Sequence, residues 1–156
     1  MKNVLLESHL KSLRLPTFSR EHENIARQCG EANRRYDEYL LLLAEREVVE
    51  REKNATARRI RQAGFPAVKE LSDFDFTAVP KVNKKLVLEL AGGEFIGKRE
   101  NVVLIGPPGV GKTHLGIAIG REACRRGRNV RFYTAAGLAN EYAEARDKRR
   151  VLKLEK

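Results

Sequence analysis

The segment Asn101-Val-Val-Leu-Ile-Gly-Pro-Pro-Gly-Val-Gly-Lys-Thr-His114 constrains this chain more than any other. It reads as an apolar strand from Val102 to Ile105, a glycine-rich turn from Gly106 to Gly111, and a helix opening at Lys112-Thr113. Within it lies the spacing G-x-x-x-x-G-K-T, in the strand–loop–helix setting that gives the pattern physical meaning. Gly106, Gly109 and Gly111 carry no Cβ, so the backbone can take left-handed angles and come close to an anion. Successive N–H groups then converge on one hollow, at the positive dipole end of the following helix. Lys112 supplies a mobile charge for the β- and γ-phosphates, and Thr113 a hydroxyl for Mg²⁺. Pro107 and Pro108 stiffen the loop at no loss, because the donors that matter lie further on. His114 either approaches the nucleotide or packs on the first turn of the helix. The candidate nucleotide contacts are therefore Gly106, Pro107, Pro108, Gly109, Val110, Gly111, Lys112, Thr113 and His114, with the metal reached through Thr113.

At 156 residues the chain has room for one domain, or for a small helical domain and part of a second. Three regions are expected: a helical domain over 1–64, a linker over 65–81, and a partial ATP-binding domain over 82–156. In the first, Leu6, Leu10 and Leu13 recur at helical spacing and Pro16 ends the run. Thr17 or Ser19 is placed to cap a second helix, with Ile25, Ala26 and Cys29 inside and Gly30 as a break or close packing point. A third helix is predicted from Tyr36 to Ala63, burying Tyr36, Tyr39, Leu40, Leu43, Ala44 and Val48, with Glu47 and Arg51 paired at i, i+4. In the linker, Phe74 and Phe76 alternate with Asp73 and Asp75, which suits an extended piece pinning its rings on the following domain. Val82, Leu86 and Leu90 resume helical spacing until Ala91-Gly92-Gly93. Beyond the loop, Leu115, Ala118, Ile119 and Ala123 form the inner face of a helix that stops at Gly127. Arg121, Arg125, Arg126 and Arg128 are expected outside or at its end. A second strand over Asn129–Thr134 and a helix from Ala135 to about Lys148 follow. The fold class predicted is α/β: the N-terminal part of a parallel P-loop sheet, incomplete, preceded by a small all-helical domain.

Lys and Arg outnumber Asp and Glu by 31 to 21, most of the excess falling after residue 64, and the formal net charge is +10. That balance favours polyanionic partners, nucleic acid first. Arg51, Asn54, Arg58 and Arg61 recur at spacings of three and four, and Arg51, Arg58 and Arg61 are the candidate DNA contacts, against the plainer reading of a solvated helix face. Cys29 and Cys124 lie far apart with no metal-ligand spacing, so reduced thiols are expected. No apolar run approaches a bilayer span and no leader pattern opens the chain, so a cytoplasmic protein without a membrane partner is expected.

GPPGVGKTHLGIAIG, preceded by Phe74-Asp-Phe76 and by Gly93-Glu-Phe-Ile-Gly-Lys-Arg-Glu-Asn-Val102, resembles the IstB family of transposition helper ATPases, relatives of the DnaC-type helicase loaders in the AAA+ class. The likeness runs through nearly the whole chain, from Leu10-Lys-Ser-Leu-Arg-Leu-Pro16 onward. The loop alone specifies only a P-loop NTPase. The resemblance implies ATP and Mg²⁺ as cofactors, double-stranded DNA and a cognate transposase as partners, and assembly into homo-oligomers. A DnaC-like helicase loader and a non-enzymatic module with a defunct nucleotide site are the alternatives.

The departure from the family is chemical. A P-loop ATPase also needs an acidic pair closing an aliphatic strand, to hold Mg²⁺ and its water. The acids after Thr113 are Glu122, Glu141, Glu144, Asp147 and Glu155, and none follows such a run. The expectation is a C-terminally truncated chain that binds ATP weakly, hydrolyses it negligibly and tends to aggregate through unpaired strands.

Overall fold

The structure, a computed structural model, describes residues 3–147. The backbone forms two compact units, Met1–Ala57 and Arg58–Lys156.

In the first unit, α1 (Val4–Ser12) opens on Asn3, whose side-chain oxygen accepts the Leu6 N–H at 3.1 Å. Pro16 both ends the first run and starts α2 (Pro16–Glu31), in the first turn, where a missing N–H is harmless. Neither Thr17 nor Ser19 caps α2 with its side chain. Instead the Thr17 N–H donates to Oε2 of Glu47 at 2.9 Å, a carboxylate brought from α3 (Tyr36–Ala63) to a helix N-terminus. Glu47 also accepts from Arg51 Nε at 2.7 Å, the expected i, i+4 pair.

Ile25, Cys29 and Leu43 form the core of this unit, with Phe18, Tyr39 and Leu42 packed around them. The inner face of α3 is narrower than its sequence suggests. Tyr36 (93% exposed), Leu40 and Val48 lie at the surface, as does Leu13 of the first run. A lone helix pair offers α3 one contact stripe, and Tyr39, Leu43 and Glu47 occupy it. Ala26 is exposed, and a Cβ on Gly30 would meet nothing within 4 Å, so Gly30 is no close packing point; α2 runs through it and stops one residue later, at Glu31.

The second unit is built on α6 (Lys112–Arg125), whose Leu115, Ile117, Ala118, Ile119, Ala123 and Cys124 are buried. Its end follows the left-handed stop, with Gly127 at φ +81° and the Arg128 N–H bonded to the Ala123 carbonyl. Against α6 packs α4 (Lys84–Gly92), opened by the Asn83 side chain and closed by Gly93. It buries Val87 and Ala91 and leaves Leu86 half exposed. A four-residue helix, α5 (Glu94–Gly97), follows.

The stretch expected to be a linker packs within this unit. Phe74 joins Val87 and Leu115 in a core cluster, with Leu71, Phe76, Val79, Val82 and Leu104 at its margin. Phe65 lies over Gly120 of α6 and against Phe132. The described residues close with α7 (Ala135–Asp147), with Thr134 Oγ1 accepting the Gly137 N–H; Lys148 and Glu155 lie outside the described residues.

The two expected strands are not strands. Among the described residues the structure has no β-ladder, and 102–105 and 129–134 run without regular pairing. The Phe132 N–H donates instead to the carbonyl of Ala63. A strand needs a neighbour for its backbone groups, and neither segment has one here. Val103 and Ile105 are accordingly 75% and 90% exposed. The parallel sheet is therefore the part of the expected fold that the described residues do not form.

Candidate nucleotide-binding site

The loop from Gly106 to Gly111 bends through two left-handed glycines, Gly109 at φ +83° and Gly111 at φ +84°. Gly111 is the N-cap of α6 and offers no side chain, so the first N–H groups of α6 keep their donors for another partner. At Gly109 an added Cβ would meet open space, so what demands glycine there is the backbone angle. At Gly111 both angle and space demand it: a Cβ would lie 2.5 Å from Cε2 of Phe74.

Lys112 curls back over the loop. Its Nζ donates to the carbonyls of Gly106 at 2.9 Å and Pro107 at 2.5 Å, which places the ammonium at the loop's own mouth. Thr113 is exposed beside it, and Val110 folds its Cγ2 toward Gly106. A polyphosphate fits this arrangement: donors at a helix N-terminus, an ammonium on a flexible stem, and an exposed hydroxyl next to both. Among the described residues no group of three or more His, Cys, Asp or Glu side chains could hold a metal. Thr113 is the exposed hydroxyl beside the loop that could offer Mg²⁺ an oxygen ligand alongside a polyphosphate.

His114 turns away from the loop mouth. Its Nε2 lies 2.8 Å from the Glu70 carbonyl, and its ring meets the Phe74 ring edge-on at 5.3 Å. The Glu70 carboxylate continues along the same helix face, accepting from Arg121 and, through both of its oxygens, from Arg125 Nη2 at 2.8 Å. Burial pushes the Glu70 carboxyl up, but the Arg121 and Arg125 guanidinium groups outweigh it and hold it below the ordinary carboxylate value. Arg121, expected outside, is thus largely enclosed, with its side chain 12% exposed. The sequence carried a signal for this: His114, Ala118, Arg121 and Arg125 recur at i, i+4, i+7 and i+11, one face of one helix.

The basic residues of α3 divide. Arg51 belongs to the first unit, where Nε bonds Glu47 and Nη2 reaches the carbonyl of Arg14, so its guanidinium serves the helical core. Arg58 and Arg61 belong to the second unit and are exposed. His9 is exposed, and His22 bonds the Phe18 carbonyl through Nδ1 at 2.9 Å. Cys29 and Cys124 are buried free thiols. No helix among the described residues is long and apolar enough to cross a membrane.

Residues 8–155 match the family model described as IstB-like ATP binding protein. The chain is 36% identical over 140 residues to a protein of insertion sequence IS5376 from Geobacillus stearothermophilus, covering 90% of this chain and 56% of that one. It is 38% identical over 146 residues to an IS21 protein from Pseudomonas aeruginosa, covering 94% and 55%. A Mycobacterium tuberculosis insertion-sequence protein is 41% identical over 106 residues, covering 68% and 42%. The names of all three propose ATP binding without establishing it. The chain spans about half the length of the curated relatives it matches. With all but a few of its residues matched, this chain belongs to the IstB-like ATP binding protein family.

Proposed function

We propose that this chain binds ATP with Mg²⁺ through residues 106–113 and serves as the ATP-binding helper of an insertion-element transposase. The observation carrying the reading is the pair of left-handed glycines leading into an uncapped helix N-terminus, with the Lys112 ammonium held at the loop mouth. Double-stranded DNA, the cognate transposase and further copies of the chain are the partners in this reading. Net charge of +10 supports the first. The insertion-sequence names of its relatives favour transposition over helicase loading.

Turnover by this polypeptide alone is negligible in this reading. Glu122, the first acid after Thr113, is bound to Arg125 and lies nine residues along α6, about 14 Å from Thr113 at 1.5 Å per residue. At that distance it does not reach Mg²⁺ at Thr113. ATP binding without efficient hydrolysis follows.

Displacement of a fluorescent ATP analogue tests the reading. Lys112→Ala removes a charge-assisted contact to phosphate, worth about 1.5–3 kcal/mol, so affinity falls roughly tenfold or more. Equal affinity in the two proteins would leave a non-enzymatic module as the better description.

A further inference from the structure

We propose that Glu70 and Phe74 are positioning residues for the phosphate loop, forming a strap that sets the aim of the α6 N-terminus; its effect on ATP affinity rests on the reading above, whereas its effect on loop geometry does not. Three attachments lie within five residues of chain. The Glu70 carboxylate grips Arg121 and Arg125, well down α6. The Glu70 carbonyl holds His114, in the first turn. The Phe74 ring, 8% exposed, fills the volume beside Gly111 and meets His114 at its edge. The strap thus touches the last loop glycine and the first helical turn without touching the hollow itself.

The physical consequence concerns the backbone rather than the ligand. Gly111 at φ +84° has many nearby conformations open to it, because glycine pays no steric cost on either side of φ. The Phe74 ring removes that freedom on one side by occupying the space the backbone would move through. Glu70, fastened at both ends of the helix face, prevents α6 from sliding under the ring. Loop donors are then aimed before a phosphate arrives, which spares the ordering cost on binding.

Hydrogen exchange of the full chain, without nucleotide, tests this. In Phe74→Leu, amides of residues 115–118, which bond back to residues 111–114, exchange at least about tenfold faster, while those at 122–125 change far less. Val87→Ala truncates another member of the same cluster without touching Gly111 or His114, and leaves the amides of 115–118 close to wild type. No change in Phe74→Leu, or the same change in Val87→Ala, would overturn the proposal. Should Phe74→Leu lose its helical signal, Glu70→Gln decides instead: faster exchange at 115–118 supports the strap and unaltered exchange refutes it. ATP affinity is read in parallel, with a loss of about tenfold expected in Phe74→Leu. A wild-type chain that fails to bind ATP would sink the proposed function, and exchange at 115–118 would still decide the strap.

Discussion

Two residues show how much a single position can carry here. Gly111 sits at φ +84° with a ring 2.5 Å from where its Cβ would be. Gly111→Ala therefore costs at least about 1 kcal/mol for the left-handed backbone, before any movement of Phe74. In a double-mutant cycle with Phe74→Leu, thermal unfolding should give a combined loss smaller than the sum by more than about 0.5 kcal/mol, since the clash is counted once. Glu47 is the second. It is 4% exposed and its carboxylate meets the Thr17 N–H and Arg51 together. Glu47→Ala leaves that N–H buried and unpartnered, so the urea midpoint should fall by the equivalent of about 1–3 kcal/mol with little change in slope.

Among elements, the two carboxylates that tie segments together also set the response to acid. Burial raises Glu47, but Arg51 and then Thr17 hold it below its ordinary value, as Arg121 and Arg125 do for Glu70. Groups whose folded-state values are depressed contribute stability above the unfolded carboxylate range, and that stability is lost as pH falls through the folded values. Urea midpoints should hold from neutral pH to about pH 5 and then decline below the unfolded Glu value of about 4.3, less steeply in Glu70→Gln. The C-terminal end of α3 makes a separate forecast. If exposed Arg58 and Arg61 follow a DNA backbone, Arg58→Ala and Arg61→Ala each weaken binding evenly across sequences and lower the salt slope by about one. Arg51→Ala, by contrast, should register first as lost stability, because its guanidinium is bound to Glu47 and Arg14.

At the largest scale, the dominant fact is that the described residues form no β-ladder. Val103 and Ile105 stand exposed on an extended backbone with no neighbour strand. Such a segment invites pairing with other chains. Val103→Thr with Ile105→Thr should reduce concentration-dependent light scattering while the helical circular dichroism stays unchanged; scattering that persists undiminished would place the adhesive surface elsewhere. Among the described residues, the positions of the longer helices were largely legible, because periodicity, Pro16, Gly93 and Gly127 are local signals that act within a turn or two of chain, whereas the short α5 was not foreseen. The left-handed turn at Gly109 and Gly111 into α6 was legible for the same reason, since the glycine spacing is itself a local signal. Which face each helix buries was not, as Tyr36, Leu40 and Leu86 show, since burial depends on what partner is present to cover them. Nor could spacing reveal that Glu70 would reach Arg121 across 51 residues, or that Glu47 would cap α2 from another helix. Local stereochemistry alone determined where the chain turns and coils; packing between distant segments decided what the turns rest on and, among the described residues, left two would-be strands without partners, because a hydrogen-bond ladder and a buried face each need a second piece of chain.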